Sequence, residues 1–335
     1  MKTFNYLTIF SLVAAVFSIT VFATLFPVDL RSKKTKNLFV SVYMPDNFKP
    51  KYGPKRIAYS GMVGVDSVQS LDKAFSKENY SINSAKNGEV LVPRFYLTQL
   101  PKSFLKIRGV KKRKALFLKV VLPLILKVNY DILDRRKKLI NIYSHYNKSG
   151  KISDSSKAWL LAMEKKYKVK RGNAKELLRR MDLVPPSLAL AQAAEESGWG
   201  TSRFVMEGNA LFGQWTLNSS GGMIPNQRDP MKKHKVKKFS TLIEGVRAYA
   251  LNLNTHGAYR VFRLKREKAR KASSVMAGIK LSKYLKAYSE RGSDYIRTIQ
   301  KIIRTNRLGQ LDNARLRYKK FGEILPWFTI ETQEF

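Results

Sequence analysis

The stretch that decides the fold is residues 187–200, which read SLALAQAAEESGWG. Alanine and leucine dominate its first half, and both favour the α-helix. The run stops at Gly198, and glycine is the residue type that most often takes the left-handed conformation just after a helix. The sequence therefore predicts a helix over 187–197, with Glu196 in its last turn.

The position of Glu196 suits acid catalysis. The partial negative charge at the C-terminal end of a helix disfavours an ionised carboxylate and so raises its pKa. Trp199 is close in sequence and would add an apolar wall with the same effect. A carboxylic acid that stays protonated near neutral pH is what a glycosidase needs to protonate a leaving-group oxygen. Composition alone, however, favours an ordinary amphipathic helix with Trp199 in the core.

Residues 209–215, NALFGQW, follow this helix and bring further aromatic side chains. Trp199, Phe212 and Trp215 offer flat faces for sugar rings. The glycines that flank Trp199 would let the backbone approach a bulky polymer closely. These features predict a glycan-binding surface around Glu196.

The rest of the C-terminal two thirds is predicted to be mostly helical. Apolar residues recur there at helical spacing between clear breaks. Residues 217–238 lose this spacing and then alternate polar with apolar residues, which is typical of a hairpin. The apolar run 115–126 is too short to span a bilayer and is predicted to be a buried helix. We expect a mainly α fold with a small β-lobe, with further helices at 111–127, 130–146, 153–167, 174–181, 242–254, 267–282 and 293–305.

The net charge is the most extreme property of the composition. The chain has 335 residues, and 64 Lys and Arg against 24 Asp and Glu give a formal net charge of +40. Such a surface favours polyanions: nucleic acid, an anionic membrane face or an acidic cell-wall polymer. The absence of Cys excludes disulfides, thiol nucleophiles and Cys-ligated metals. The three histidines lack the spacing of a zinc protease site.

The N-terminal segment is apolar. Residues 4–26 would span about 34 Å as a helix, enough for a hydrocarbon core of about 30 Å. A cleaved signal peptide usually has a shorter apolar region, of about 7–15 residues. We therefore predict an uncleaved single-pass anchor within residues 1–30, with cleavage and secretion as the alternative. Because Lys and Arg are spread along the whole chain, charge alone leaves the orientation open.

The motifs AQAAEESGWG (191–200) and NALFGQW (209–215) resemble the signature of the peptidoglycan N-acetylglucosaminidases of glycoside hydrolase family seventy-three. Three more stretches are similar to the Bax-like branch of that family, which is related to the flagellar-rod-associated glucosaminidase. They are MIPNQR (223–228), LNTHGAYRVFR (253–263) and YSERGSDY (288–295). The resemblance covers about residues 110–320. It implies a lysozyme-like fold, in which a helical body and a β-lobe enclose a cleft.

The resemblance also implies roles for individual residues. The family's catalytic acid is the glutamate directly before Ser-Gly-Trp-Gly, which maps to Glu196 and not to Glu195. Tyr288 is a further catalytic candidate. No metal and no organic cofactor are implied. The substrate-binding candidates are Trp199, Asn209, Phe212, Gly213, Trp215 and Tyr295.

A second carboxylate is the point at which this sequence leaves alternatives open. Some members of the family place one in the β-lobe, and Asp229 is the only Asp or Glu between Glu207 and Glu244. Asp229 could hold an attacking water, which gives inversion, or it could be an ordinary exposed turn residue. In the second case the N-acetyl group of the substrate would attack the anomeric carbon.

We therefore predict an endo-β-N-acetylglucosaminidase that cleaves β-1,4 bonds in peptidoglycan glycan strands, on the extracytoplasmic side of the cytoplasmic membrane. The alternative is a catalytically inactive, strongly basic protein of the same fold that binds the envelope or nucleic acid, although no specific nucleic-acid motif appears. The predicted divisions are an anchor or signal (1–30), a basic region of unknown role (31–110), a helical segment that packs on or leads to the catalytic domain (111–150), the glucosaminidase domain (151–322) and a tail (323–335).

Overall fold

The structure, a computed structural model, describes residues 62–216, 222–224, 235–272 and 276–317. The predicted N-terminal anchor, the predicted C-terminal tail and Asp229 lie outside the described residues. Inside these ranges, no helix is both long enough and apolar enough to cross a membrane.

The described elements are mainly helical, with two small sheets. The strands are β1 (Met62–Val63), β2 (Tyr96–Leu97), β3 (Trp215–Thr216), β4 (Gly222–Met223) and β5 (Lys235–Lys237). The helices are α1 (Val68–Lys77), α2 (Ile82–Lys86), α3 (Val110–Ser149), α4 (Asp154–Tyr167), α5 (Ala174–Arg180), α6 (Pro186–Ser197), α7 (Arg203–Gly208), α8 (Leu242–Thr255), α9 (Arg260–Lys271), α10 (Gly278–Leu281) and α11 (Ser293–Thr305). Short 3₁₀ turns include Lys102–Lys106, Gly257–Tyr259, Lys286–Tyr288 and Leu308–Asn313.

α3, at 40 residues, is the longest helix within the described ranges. The apolar spacing predicts two helices here, over 111–127 and 130–146, and the structure joins them into one. Its apolar run is buried, as predicted, against α6, α8 and β2. Because of this packing, the helix continues past Pro123, although proline cannot donate a backbone hydrogen bond. The helix ends at Ser149, three residues after the predicted end, because Gly150 takes a left-handed φ of +66°.

α6 forms the centre of the core. Its side chains from Leu188 to Ala194 are almost wholly buried, and it packs against α3, α10, α11 and the turn Leu308–Asn313. Asp312 from that turn stabilises the start of α6, because its carboxylate accepts bonds of 2.8 Å from both the N–H and the hydroxyl of Ser187. The predicted helix over 187–197 is therefore confirmed to within one residue.

The β-lobe is a three-stranded antiparallel sheet in the order β3-β5-β4. Val236 of β5 pairs with Trp215 on one side and Met223 on the other. Met223, Val236 and Ala210 form a small apolar cluster with Phe204 at its edge. The hairpin predicted over 217–238 is thus part of a sheet that begins earlier, at Trp215.

Residues 62–109, which fall in the region of unknown role, pack against the helical body. β1 pairs in parallel with β2, and the carbonyl of Thr98 accepts a 2.9 Å bond from Leu242 N at the start of α8. Leu100 and Phe104 lie against the turn that follows α6: a Cβ built on Gly200 would be 3.0 Å and 2.9 Å from their side chains. This segment therefore covers the turn that follows Glu196.

Candidate active site

Glu196 lies in the last turn of α6 with its side chain partly buried. The helix ends beside it because Gly198 takes a left-handed φ of +57°. Gly213 faces the carboxylate, since a Cβ built on Gly213 would lie 3.3 Å from Glu196 Oε2. Its own φ is +56°, so both conformation and space favour glycine at this position. The structure thus brings together two of the predicted site residues.

A chain of hydrogen bonds orients the carboxylate of Glu196. Tyr249 Oη donates to Gln192 Oε1 at 2.7 Å, and Gln192 Nε2 donates to Tyr295 Oη at 2.9 Å. Tyr295 Oη donates in turn to Glu196 Oε1 at 3.0 Å. Gln192 lies one turn before Glu196 on α6, whereas Tyr249 belongs to α8 and Tyr295 to α11. Because a phenol has one proton and Gln192 donates to its oxygen, the proton of Tyr295 is directed at Glu196.

Aromatic rings surround this chain of hydrogen bonds. Phe212 stacks on Tyr249 with ring centroids 3.8 Å apart, and Tyr288 stacks on Tyr295 at 5.5 Å. Tyr288 Oη donates to the carbonyl of Phe212 at 3.3 Å and so links the two stacks. The ring of Phe212 is only 3% exposed, so it supports the site from within the core. It does not present the sugar-binding face that the sequence analysis predicted.

Burial raises the pKa of Glu196 to about 7. The hydrogen bond from Tyr295 and the charge of Arg291 lower this pKa, and the charge of Glu195 raises it further. The sequence predicts a raised pKa from the helix end and from Trp199. Burial among aromatic side chains is instead its largest cause. A carboxyl group that exchanges its proton near neutral pH is suited to general acid catalysis.

Glu195 faces a different partner. Arg291 Nη1 donates to Glu195 Oε1 at 2.7 Å, and Arg291 Nη2 donates to Thr298 Oγ1 at 2.9 Å. The side chain of Glu195 is one quarter exposed and that of Arg291 about half exposed. Adjacent glutamates on α6 therefore have different settings, one in an ion pair and one among tyrosines.

The remaining predicted residues make other contacts, are exposed, or lie outside the described ranges. The ring of Trp199 contacts Phe117 at a centroid distance of 5.8 Å, and the ammonium of Lys114 lies 4.7 Å from it. Trp199 therefore packs against α3. Asn209 donates from Nδ2 to two backbone carbonyls at 239 and 240, which ties α7 to the segment before α8. Trp215, on β3, is 60% exposed and can present an aromatic face to a ligand.

Three residues of the site were missed by the sequence analysis: Gln192, Tyr249 and Arg291. Gln192 had a usable signal, because a residue four positions before Glu196 shares its helix face. Arg291 lies within the quoted stretch YSERGSDY, but its pairing with Glu195 is 96 positions distant. Tyr249 gave no local signal. Among the described residues, no three His, Asp or Glu side chains come together to form a metal site.

Comparison with known proteins supports a glycosidase relationship. Residues 171–308 match the family model described as mannosyl-glycoprotein endo-beta-N-acetylglucosaminidase. The chain is 37% identical over 226 residues to Protein bax of Escherichia coli (strain K12), a match that covers 66% of this chain and 75% of that protein. No solved structure matches the chain significantly.

Proposed function

The chain belongs to the Bax-like glucosaminidase family, and we propose that it is a peptidoglycan hydrolase. In this proposal it is an endo-β-N-acetylglucosaminidase that cleaves β-1,4 bonds of cell-wall glycan strands, with Glu196 as the general acid. The observation that carries the proposal is the setting of Glu196, a partly buried carboxyl group whose pKa is raised to about 7 and whose orientation is held by Tyr295. The lysozyme-like arrangement belongs to the same proposal, with the cleft between the helical body and the β-lobe.

In the proposed reaction, Glu196 gives its proton to the glycosidic oxygen as the bond to the anomeric carbon breaks. The hydrogen bond from Tyr295 to Oε1 leaves Oε2 to carry that proton, on the side where Gly213 has no side chain. Tyr288 contributes to the aromatic surroundings of Tyr295, and its own hydroxyl is engaged by the carbonyl of Phe212. Hydrolysis should therefore decline as the pH rises above about 7 and Glu196 loses its proton.

The group that attacks the anomeric carbon distinguishes two versions of the mechanism. A water held by Asp229 would invert the anomeric configuration, whereas the substrate's own N-acetyl group would retain it. NMR of the freshly formed product identifies its anomer. Inversion together with loss of activity in Asp229→Asn supports the first version, and retention with an active Asp229→Asn variant supports the second.

The exposed tryptophan of the β-lobe is the proposed sugar platform. Trp215 lies two positions after Gly213, whose backbone faces the carboxylate of Glu196. Its ring is 60% exposed, and stacking on a sugar would cover apolar surface that now faces water.

The proposed location follows from the substrate. Peptidoglycan lies outside the cytoplasmic membrane, so we place residues 31–335 on the extracytoplasmic side. Residues 4–26 then act as the anchor, with secretion after cleavage as the alternative. Protease added to intact spheroplasts is expected to degrade the catalytic domain. Full protection until the spheroplasts are lysed would contradict this location.

The proposed function is tested by digesting purified sacculi with the protein and identifying the new ends. A new reducing-end N-acetylglucosamine supports the glucosaminidase, and reducing-end N-acetylmuramic acid would indicate a muramidase. Released peptide would indicate an amidase. Binding to sacculi or to DNA without any cleavage would favour the catalytically inactive, basic binding protein, for which the net charge of +40 is the main argument.

A further inference from the structure

Two successive glutamates of α6 are each held by one residue from the segment that starts α11. Arg291 holds Glu195, with 2.7 Å between Nη1 and Oε1, and Tyr295 holds Glu196, with 3.0 Å between Oη and Oε1. Arg291 also donates to Thr298 Oγ1, on the first part of α11. The ion pair is therefore fixed beside the carboxyl group that the proposed reaction uses.

We propose that Glu195 and Arg291 are positioning residues: as an ion pair they balance the charge beside Glu196 and so set the pH up to which Glu196 keeps its proton. This inference rests on the proposed function for its biological meaning. It concerns a measurable property of Glu196 that does not depend on any substrate.

Glu195 and Arg291 carry the charges that act on Glu196, because its other described titratable neighbours are tyrosines. Tyrosines face Glu196 from α8, from the turns Gly257–Tyr259 and Lys286–Tyr288, and from α11. Burial raises the pKa of each of these phenols, so they are uncharged at neutral pH. Among the described residues, the ionised groups that act on Glu196 are Glu195 and Arg291.

The two charges of the pair act on Glu196 in opposite directions. The negative charge of Glu195 raises the pKa of Glu196, and the positive charge of Arg291 lowers it. Replacing either residue by a neutral one leaves the charge of the other without its counter-charge. Glu195→Gln should therefore lower the pKa of Glu196, Arg291→Gln should raise it, and the double variant should return close to the native value.

A purely structural ion pair makes a different prediction. If the pair only fastened the start of α11 to α6, both single variants would weaken the same attachment and would have similar effects. Thr298→Val is the matched control, because it removes the hydrogen bond from Arg291 Nη2 and leaves both charges in place. It should leave the titration of Glu196 unchanged.

The experiment is an NMR titration of the full-length protein with ¹³C-labelled glutamate side chains, in which the Glu196 carboxyl signal is assigned from its absence in Glu196→Gln. We expect the midpoint to move down by about 0.5–1 pH unit in Glu195→Gln and up by a similar amount in Arg291→Gln, as for a charge close to a partly solvated group. The double variant should lie within about 0.3 unit of the native protein. Midpoints that move in the same direction, or that do not move, would overturn the inference.

A second arm separates this inference from the proposed function. If the native protein cleaves sacculi, the upper pH limit of hydrolysis should move in parallel with the midpoint of each variant. If Glu196 titrates as expected in all variants but the native protein does not cleave sacculi, the proposed function fails and the charge balance stands. If cleavage is normal and the midpoints are unmoved, only the charge balance fails.

Discussion

The hydroxyl of Tyr295 lies 3.0 Å from Glu196 Oε1 and donates its one proton to that oxygen. Gln192 donates to the same hydroxyl from the other side, and Tyr249 fixes the orientation of the Gln192 amide. The carboxyl group of Glu196 is therefore held in place by residues from three helices. Removing the hydrogen-bonding group of Tyr295, Gln192 or Tyr249 should therefore change the pKa of Glu196.

Tyr295→Phe keeps the ring that stacks on Tyr288 but removes the hydroxyl. Since the lost hydrogen bond favours the ionised carboxylate, the pKa of Glu196 should rise and the upper pH limit of hydrolysis should move upward. A hydrogen bond to a charged group contributes about 1.5–3 kcal/mol, so we expect a rate loss of about tenfold or more from the less well oriented acid. The measurement is the pH profile of sacculus digestion.

Tyr284→Phe serves as the control for this change, because Tyr284 is half-buried near Lys265, whose ammonium lies 5.6 Å from its ring. It should leave the profile unchanged. A native-like profile in Tyr295→Phe would show that the hydrogen bond plays no part in tuning Glu196.

Gly213→Ala tests the space beside the acid. The substitution places a methyl group 3.3 Å from Glu196 Oε2 and forces alanine into a φ of +56°. We expect a loss of about 1–2 kcal/mol in the free energy of unfolding, together with a clear loss of hydrolytic rate. Gly309→Ala is the comparison, since a Cβ there meets nothing within 4 Å. If both variants were equally active, Gly213 would not confine the carboxylate.

The two tryptophans should respond differently to truncation. Trp199 packs on Phe117 of α3, so Trp199→Ala should lower the melting temperature. The loss in the free energy of unfolding should lie near the lower end of the roughly 3–5 kcal/mol typical of a buried ring. Trp215→Ala should leave the melting temperature nearly unchanged, because the ring is 60% exposed, and should weaken binding to sacculi. Thermal unfolding and sacculus pull-down measure the two effects. An unchanged melting temperature in Trp199→Ala would contradict its packing role.

Glu196→Gln should alter how stability depends on pH. Because the pKa of Glu196 is raised from 4.5 to about 7, its contribution to the free energy of unfolding is fully present below about pH 4.5 and is lost as the pH rises through 7. Glutamine does not titrate. The free energy of unfolding of the variant, relative to that of the native protein, should therefore increase by about 2–3 kcal/mol between pH 4.5 and pH 8. Urea unfolding at the two pH values measures the gain. A stability difference that does not depend on pH would show that Glu196 titrates normally.

The boundaries of several helices could be predicted from sequence because their signals are local. Asn173 accepts a hydrogen bond from Glu176 N at the start of α5, and Gly150 and Gly198 end α3 and α6 in left-handed conformations. The helix predicted over 267–282 was wrong at both ends, because α9 ends at Lys271 and a separate short helix, α10, begins at Gly278. α9 begins at Arg260, directly after a 3₁₀ turn in which His256 Nδ1 accepts from Ala258 N.

The packing of residues 62–109 and the surroundings of Glu196 could not be predicted in this way. Leu100 and Phe104 are buried beside Gly200, which lies far along the chain from both. Similarly, the tyrosines that surround Glu196 come from α8, from α11 and from the turns Gly257–Tyr259 and Lys286–Tyr288. The family resemblance indicated Tyr288 and Tyr295, but neither it nor local pattern indicated Tyr249. The sequence therefore pointed to the helix end and Trp199 as the causes of the raised pKa, whereas burial is the largest cause.

The most direct test of the central claim compares Glu196→Gln with Glu195→Gln in the digestion of purified sacculi at pH 5.5–6, a range chosen to lie about one unit below the pKa near 7. We predict that Glu196→Gln still folds and binds sacculi but loses about 10²–10⁴-fold in rate, the usual contribution of general acid catalysis. Glu195→Gln should retain most of the native rate at this pH. A Glu196→Gln variant that digests sacculi at the native rate, or an inactive Glu195→Gln beside an active Glu196→Gln, would contradict the assignment of Glu196 as the catalytic acid.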